Sequence, residues 1–222
     1  MTKNKTQESA PAPIISTGIF RGMRLATPAG DKTRPTSSKA RAAAMNAVQG
    51  RLPGAAFCDL FAGSGAIGIE ALSRGAAECT FAESAPAALI ALRRNLTECE
   101  RRSLAQKQEP PSSRILAQDI QKWLAERINL ASSDINHRNH QQFDIIWADP
   151  PYALAPRFLP ELLVFADAAL MDGGILMIET GSAVEHEVPS GASTLRFKTE
   201  KKYGGTFITS WEKKGDPSEG QD

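Results

Sequence analysis

The sequence has few cysteines and histidines, the residues that cross-link small secreted domains or bind metals. Its three cysteines, Cys58, Cys79 and Cys99, are odd in number, and their spacings suit neither a disulfide framework nor a zinc site. The first two fall in predicted strands, so we expect reduced and mostly buried thiols. The three histidines form no convincing ligand set, because two of them lie in one polar loop, and we predict no metal.

Long apolar runs are also absent. No stretch is long enough to cross a membrane, and residues 1–13 lack the apolar centre of a signal peptide. We therefore expect a cytoplasmic protein with no membrane partner. The net charge of +1 neither indicates nor excludes a nucleic-acid ligand. A chain of 222 residues with 41% hydrophobic content can bury one good core, which predicts one main domain, and we expect a monomer.

Strand-like and helix-like segments alternate from Ala56 onward, which is typical of an α/β fold with a mostly parallel sheet and helices on both faces. Residues 14–26 are typical of a hairpin or of two short strands around Gly22, and Thr36 is placed to cap a helix that ends near Gln49. We predict strands at 56–61, 78–83, 114–118, 143–148, 174–180, 194–200 and 206–212, with helices at 66–74, 85–99, 120–128 and 156–170. The corresponding organisation is a disordered tail at 1–13, a hairpin and helix at 14–50, a main domain at 51–213 and a second tail at 214–222.

The most informative segment is Asp149-Pro150-Pro151-Tyr152, which follows the apolar run 143–148. The prolines cannot donate ladder hydrogen bonds, so they end the strand and leave the carbonyls of Asp149 and Pro150 free to accept. An acid, free carbonyls and an aromatic ring could hold a planar base with an exocyclic amino group, with the base stacked on Tyr152. An ordinary strand-to-loop turn is the alternative, because Asp-Pro pairs are common in turns.

A glycine turn lies upstream of this segment. Gly63, Gly65 and Gly68 have the spacing of a nucleotide-binding turn between a strand and a helix. A dinucleotide-binding fold is its most familiar source, but Asp59 at the strand end would oppose a pyrophosphate and would suit a cationic amino group. Glu83, at the end of the next strand, is placed to accept both hydroxyls of a ribose. A ligand with a ribose, a positive charge and no phosphate indicates S-adenosylmethionine.

These segments resemble the RsmD family of class I methyltransferases, which methylates N2 of a guanine in small-subunit (16S) ribosomal RNA. The segment 59–65 resembles methyltransferase motif I, and 149–152 resembles the motif for methylation of amino groups. Three further stretches resemble the family's N-terminal hairpin, its next block and its C-terminal strand pair: 18–25, 34–36 and 202–206. The resemblance covers roughly Ile14 to Trp211 and implies a seven-stranded, Rossmann-like class I sheet. The helix after Thr36 has smaller side chains than the family pattern, which leaves the RNA contacts less defined.

The resemblance also implies the site. The implied cofactor-binding residues are Asp59, Phe61, Ala62, Gly63, Ser64, Gly65, Glu83 and Asp119. Asp119 has two interpretations, as the partner of the adenine amino group or as the N-cap of the next helix. The implied catalytic residues are Asp149, Pro150, Pro151 and Tyr152. Hydrogen bonds from the target amino group to Asp149 and the Pro150 carbonyl would aim its lone pair at the methyl group.

Basic residues are concentrated near the N-terminus, where residues 20–41 contain six of them and a single acid, Asp31. Such a segment beside a base-binding corner predicts contacts with RNA phosphates, although an ordinary solvated surface is the alternative. The predicted RNA-binding residues are Arg21, Arg24, Arg34, Lys39 and Arg41. The predicted partner is ribosomal RNA, within the small ribosomal subunit or its precursor.

Three other functions stay open. The first is a DNA methyltransferase acting on adenine N6 or cytosine N4, although the chain shows no separate target-recognition domain. The second is a nicotinamide-dependent dehydrogenase, which the glycine spacing favours and which Asp59 and the 149–152 segment oppose. The third is a non-catalytic RNA-binding assembly factor, against which the presence of both Asp59 and Asp149 argues.

Overall fold

The computed structural model describes residues 12–28, 38–133 and 142–215, with the side chains of 38–39 and 130–133 excepted. Its strands are β1 (Ala56–Leu60), β2 (Glu78–Glu83), β3 (Ser112–Ala117), β4 (Phe143–Ala148), β5 (Leu170–Thr180), β6 (Leu195–Tyr203) and β7 (Thr206–Lys213). Its α-helices are α1 (Ser38–Ala47), α2 (Ala66–Ser73), α3 (Pro86–Ala105), α4 (Ile120–Ser133) and α5 (Ala155–Ala169). Short 3-10 helices span Gln49–Arg51 and Ser190–Ala192.

The seven strands form one sheet in the order β3-β2-β1-β4-β5-β7-β6. The first five run parallel, and β7 is antiparallel to both β5 and β6. The predicted mostly parallel, seven-stranded α/β fold is therefore confirmed. The strand order reverses between β1 and β4, and ligands of such sheets bind outside the carboxyl ends of the strands at this switch point. We call the side of the sheet where β1 to β5 end the carboxyl edge.

Helices cover both faces of the sheet, as buried parallel strands require. Phe57 and Trp147 lie in a core cluster that includes residues of α1, α2 and α3. Cys58 and Ile146, one position along in the same strands, lie in a second cluster with residues of α4 and α5. The alternation follows from the two-residue period of a strand. The three cysteines are free and buried, as predicted.

The N-terminal segment forms the predicted hairpin, with an antiparallel bridge between Ile14 and Arg24. Four of its apolar side chains, including Phe20 and Met23, are buried in the same cluster as Trp147, while Ile14 and Ile19 are exposed. At Gly18, with φ +81°, a Cβ atom would stand 1.6 Å from the Ser73 carbonyl oxygen, so only glycine fits there. The hairpin therefore shares the core of the main domain.

Several element boundaries differ from the predicted ones. Helix α3 continues to Ala105, six residues beyond the predicted end at 99, and α4 continues to Ser133. Strand β5 begins at Leu170, directly after α5. The predicted N-cap Thr36 and most of both predicted tails lie outside the described residues. Within the described ranges, no helix has the length and apolarity needed to span a membrane.

Candidate active site

The site lies at the switch point of the sheet. Asp59 is the penultimate residue of β1, where it pairs with Trp147 of β4. Asp149 follows β4 directly, and its backbone N–H points to the Leu60 carbonyl at 3.4 Å. The two carboxyl groups are close enough that Asp149 raises the pKa of Asp59, after burial itself. The two motifs found in the sequence therefore meet in one crevice.

In the glycine turn between β1 and α2, each glycine lies in a different structural environment. At Gly65, with φ +81°, a Cβ would come within 2.5 Å of Leu92, and at Gly68 within 2.3 Å of the Phe81 ring. Gly63 has φ +55° and open space where a Cβ would lie, so a ligand can approach this half-buried backbone closely. Phe61 also has a positive φ, of 61°, and its ring packs edge-on against Phe158 with centroids 5.2 Å apart.

Asp59 is buried beneath this turn, with 2% of its surface exposed. Its Oδ2 accepts a 2.9 Å hydrogen bond from the backbone N–H of Gly68, the third residue of α2, whose own N-cap Gly65 has no side chain to offer. Burial raises the pKa of Asp59 from 3.8 to about 8; the Gly68 bond opposes this shift, and the charges of Asp149 and Glu83 add to it. A cationic group entering the crevice would favour the ionised carboxylate, because opposite charges stabilise each other at low dielectric.

Glu83 holds the turn in place. Its Oε2 accepts from the backbone N–H of Gly63 at 2.8 Å, and its Oε1 accepts from Ser84 and Ala85 at 2.7 Å each. The predicted ribose acceptor is thus also the residue that fixes the glycine turn to the end of β2. Each carboxylate oxygen has two lone pairs, so Oε2 retains acceptor capacity toward a ligand hydroxyl.

Asp119 is an N-cap. Its Oδ1 accepts from the Lys122 backbone N–H at 2.9 Å, and its carbonyl accepts from Trp123 at 3.1 Å. This is the second of the two interpretations drawn from the sequence. The residue is exposed just beyond the end of β3, so contact with a bound adenine stays a prediction.

The segment after β4 forms an exposed corner beside the crevice. Pro150 is buried and Pro151 is exposed, while Tyr152 keeps 45% of its surface exposed. The Tyr152 hydroxyl lies 3.2 Å from Thr206 Oγ1 and 3.5 Å from Glu179 Oε1. One side of its ring packs on the backbone of Gly181, where a Cβ would come within 2.8 Å of ring carbon Cδ2. Burial is the main cause of the raised pKa of the Tyr152 hydroxyl.

Sequence reasoning missed Thr206 and Gly181 as supports of Tyr152 and placed no weight on Glu179. Thr206 is 54 residues from Tyr152 along the chain, and the pair meets only because β7 inserts beside β5. A signal was present in Gly181, a glycine directly after a strand end, which often marks a close approach by another group.

The predicted RNA-binding residues differ in where the structure places them. Arg21 and Arg24 are exposed, Arg34 lies outside the described residues, and so does the side chain of Lys39. Arg41 is 4% exposed, and its Nη2 donates to the Ile14 carbonyl at 2.8 Å, so the prediction that it grips RNA is wrong. Burial lowers the pKa of Arg41, with Glu70 nearby opposing the shift.

Arg21 lies in the turn that contacts the C-terminal end of α2, on the side of the sheet away from the carboxyl edge. Helices that follow parallel strands start at the carboxyl edge and end at the opposite edge, where the last residue of α2, Ser73, accepts from the Ile19 N–H at 2.9 Å. The chain then returns toward the site, because Asn95 donates both to the Ala26 carbonyl at 3.0 Å and to the Ser64 carbonyl of the glycine turn at 2.8 Å.

Comparison with known proteins agrees with this geometry. A family model described as "Conserved hypothetical protein 95" matches residues 14–212. The Bacillus subtilis protein YlbH, provisionally named an rRNA methyltransferase, is 30% identical over 203 residues, which cover 90% of this chain and 99% of YlbH. The ribosomal RNA small subunit methyltransferase D of Haemophilus influenzae is 26% identical over 201 residues, which cover 90% and 94%. The solved structure of yhhF from Escherichia coli, provisionally named a methyltransferase, aligns with a TM-score of 0.70 at 26% identity, covering 92% of this chain and 99% of that one.

Proposed function

Because the chain belongs to the family described as conserved hypothetical protein 95, the RsmD family, we propose that it methylates the exocyclic N2 amino group of a guanine in small-subunit (16S) ribosomal RNA. By family and fold it is a class I methyltransferase that uses S-adenosylmethionine. We further propose that the protein is a cytoplasmic monomer and that it binds its RNA within the small ribosomal subunit or a precursor. Within the protein, residues 14–50 serve as an RNA-contacting extension of a catalytic domain at 51–213.

One observation carries the proposal. The exposed corner 149–152 opens directly beside Asp59 and the glycine turn, because β1 and β4 are neighbours at the switch point. A base placed on the free face of the Tyr152 ring would bring its amino group to the Asp149 carboxylate and the Pro150 carbonyl. The proposed cofactor site and the proposed site of the target base are therefore adjacent.

The residues of the crevice suit S-adenosylmethionine. The open backbone at Gly63 allows close approach, Glu83 Oε2 can accept from a ribose hydroxyl, and Asp59 offers a buried carboxyl that a cation would ionise. A buried acid with a raised pKa, such as Asp59, favours a positively charged ligand over a pyrophosphate, which would add charge of the same sign. The bound cofactor supplies an electrophilic methyl group on a positively charged sulfur.

The chain's own residues orient the nucleophile. The guanine amino group is a weak nucleophile because its lone pair is delocalised into the ring, so alignment is the main requirement. Asp149 and the Pro150 carbonyl accept its two N–H groups, and stacking on Tyr152 holds the base outside its helix. Such positioning can lower a barrier by roughly 7–11 kcal/mol in favourable cases. Asp149 also stabilises the positive charge that develops on the nitrogen.

Incubation with tritiated S-adenosylmethionine and one of three acceptors tests the proposal: small ribosomal subunits, deproteinised small-subunit rRNA, or DNA. We expect label in RNA and none in DNA. Label in DNA would favour the adenine or cytosine methyltransferase, and label in none of the three would favour a non-catalytic role. The control variant is Asp172→Asn, which changes an exposed acid near the start of β5, at the opposite edge of the sheet from the site.

A further inference from the structure

The turn between β6 and β7 lies at the carboxyl edge, beside the corner formed by residues 149–152, where the target base would bind. Strand β6 runs in the direction of β5, because both are antiparallel to β7, so Tyr203 at its end reaches the same edge as Thr180. Thr206, the first residue of β7, is 3.2 Å from the Tyr152 hydroxyl. The hairpin tip, residues 201–206, is thus joined to the ring on which the target base would stack.

The strand register places one lysine of the tip on the face of the sheet where Tyr152 lies. Lys201 pairs with Ile208, which pairs in turn with Glu179, so these three side chains form a row on one face of the sheet. The Tyr152 hydroxyl donates to Glu179 Oε1, so Lys201 lies on the same face of the sheet as the Tyr152 ring. Lys202 pairs with Phe207 on the opposite face, where its Nζ lies 5.2 Å from the ring centroid. Both lysines are exposed.

The tip is basic and sterically open. The sequence from Lys201 to Phe207 contains two lysines and no acid. Gly204 has φ +65°, which the turn requires, but Gly205 has no such backbone need, and a Cβ there would meet nothing within 4 Å. Nothing inside the described part of the protein therefore demands a glycine at 205, and its small size leaves room for a partner's backbone to approach.

We propose that the hairpin tip 201–206 binds the phosphate backbone of the RNA next to the target nucleotide. This inference rests on the proposed function and deepens it by naming the surface that holds the RNA at the site. The turn that contains Arg21 contacts the C-terminal end of α2, away from the carboxyl edge, so the hairpin tip is the basic segment that lies beside the site. Lys201 and Lys202 flank the sheet edge on both faces, an arrangement that suits a strand of phosphates crossing the tip.

The test compares the double variant Lys201→Gln/Lys202→Gln with Lys198→Gln. Lys198 is an exposed lysine of the same strand, but it pairs with Glu212 at 2.8 Å, away from the tip. RNA binding is measured against salt concentration with deproteinised small-subunit rRNA, and cofactor binding with S-adenosylhomocysteine. In the double variant we expect the salt slope to fall by about 1.5, roughly 0.7–0.9 for each phosphate that a lysine no longer neutralises. S-adenosylhomocysteine affinity should be unchanged, and Lys198→Gln should behave as wild type.

The possible results distinguish a failure of the hairpin inference from a failure of the proposed function. An unchanged salt slope in the double variant, with a wild type that methylates RNA, overturns the inference and leaves the proposed function standing. A reduced slope in a protein that methylates no RNA supports the hairpin as an RNA surface and overturns the proposed function. An equal decrease in Lys198→Gln shows general surface charge and also overturns the inference. Circular dichroism confirms that each variant is folded.

Discussion

Replacing Asp59 with Asn should change how cofactor binding depends on pH. Asn keeps an oxygen that can accept from the Gly68 N–H but cannot ionise, so the turn is preserved while the charge is removed. In the wild type, burial holds the Asp59 pKa at about 8, so the carboxyl is mostly protonated at neutral pH without ligand. If the amino group of the ligand binds the ionised form, each molecule bound must expel a proton.

The magnitude follows from the pKa. One pH unit below a pKa of about 8, roughly nine-tenths of the molecules carry the proton, so binding at pH 7 should release about 0.9 proton. Affinity should therefore rise about tenfold from pH 6 to pH 7, or about 1.4 kcal/mol, and level off above pH 8. In Asp59→Asn the affinity should be lower, and this part of the pH dependence should disappear.

Calorimetry with S-adenosylhomocysteine in buffers of different ionisation enthalpy measures the protons released. The same experiment on Asp172→Asn controls for the change of an exposed acid, because Asp172 lies near the start of β5, at the opposite edge of the sheet from the site. A wild type that releases no proton, with an affinity that is flat between pH 6 and 8, would refute the assignment of Asp59 to the ligand's amino group.

The remaining predictions concern single side chains of the site. Gly68→Ala should lower the free energy of unfolding in urea by about 1–3 kcal/mol, since its Cβ would press on the Phe81 ring. Glu83→Ala should weaken S-adenosylhomocysteine binding in calorimetry at least tenfold, about 1.4 kcal/mol, because three backbone N–H groups lose their acceptor. Asp149→Ala should keep that affinity but slow methyl transfer more than tenfold, about 1.4 kcal/mol of barrier. Tyr152→Phe should stay within about tenfold of the wild-type rate and Tyr152→Ala should not, because stacking needs only the ring.

Stability should also depend on Asp59. Because its pKa is raised on folding, the neutral form stabilises the folded state below pH 4, and this contribution is lost as pH rises toward 8. Urea titrations of the ligand-free protein should therefore show a decline over this range that Asp59→Asn lacks. A decline of equal size in the variant would assign the effect to other groups.

Much of the site was predictable because its residues act near their own positions in the chain. The glycines at 63, 65 and 68 each satisfy a local requirement of one turn or one helix–strand contact. Asp59 and Asp149 sit at the ends of strands that the apolar pattern marks clearly. The parallel order then brings those ends together at one edge.

The errors came from contacts between distant segments. The sequence carries no sign that Arg41 turns inward to the Ile14 carbonyl, because a basic residue in a polar segment is usually solvated. The link from Tyr152 to Thr206 depends on where β7 enters the sheet, which the strand pattern does not specify. The role of Glu83 in fixing the glycine turn was hidden for another reason, since an acid at a strand end serves a ribose and a backbone turn equally well.

Methyl transfer to the N2 of a guanine in small-subunit rRNA can be detected by nucleoside analysis of the product. Small ribosomal subunits that lack the modification are incubated with the protein and S-adenosylmethionine, and the rRNA is digested to nucleosides for mass spectrometry. We predict N2-methylguanosine at one site per subunit with the wild type and a strongly reduced amount with Asp149→Ala. A methyl group found only on another base would rule out guanine N2 as the target, and an equal yield from Asp149→Ala would rule out an orienting role for Asp149.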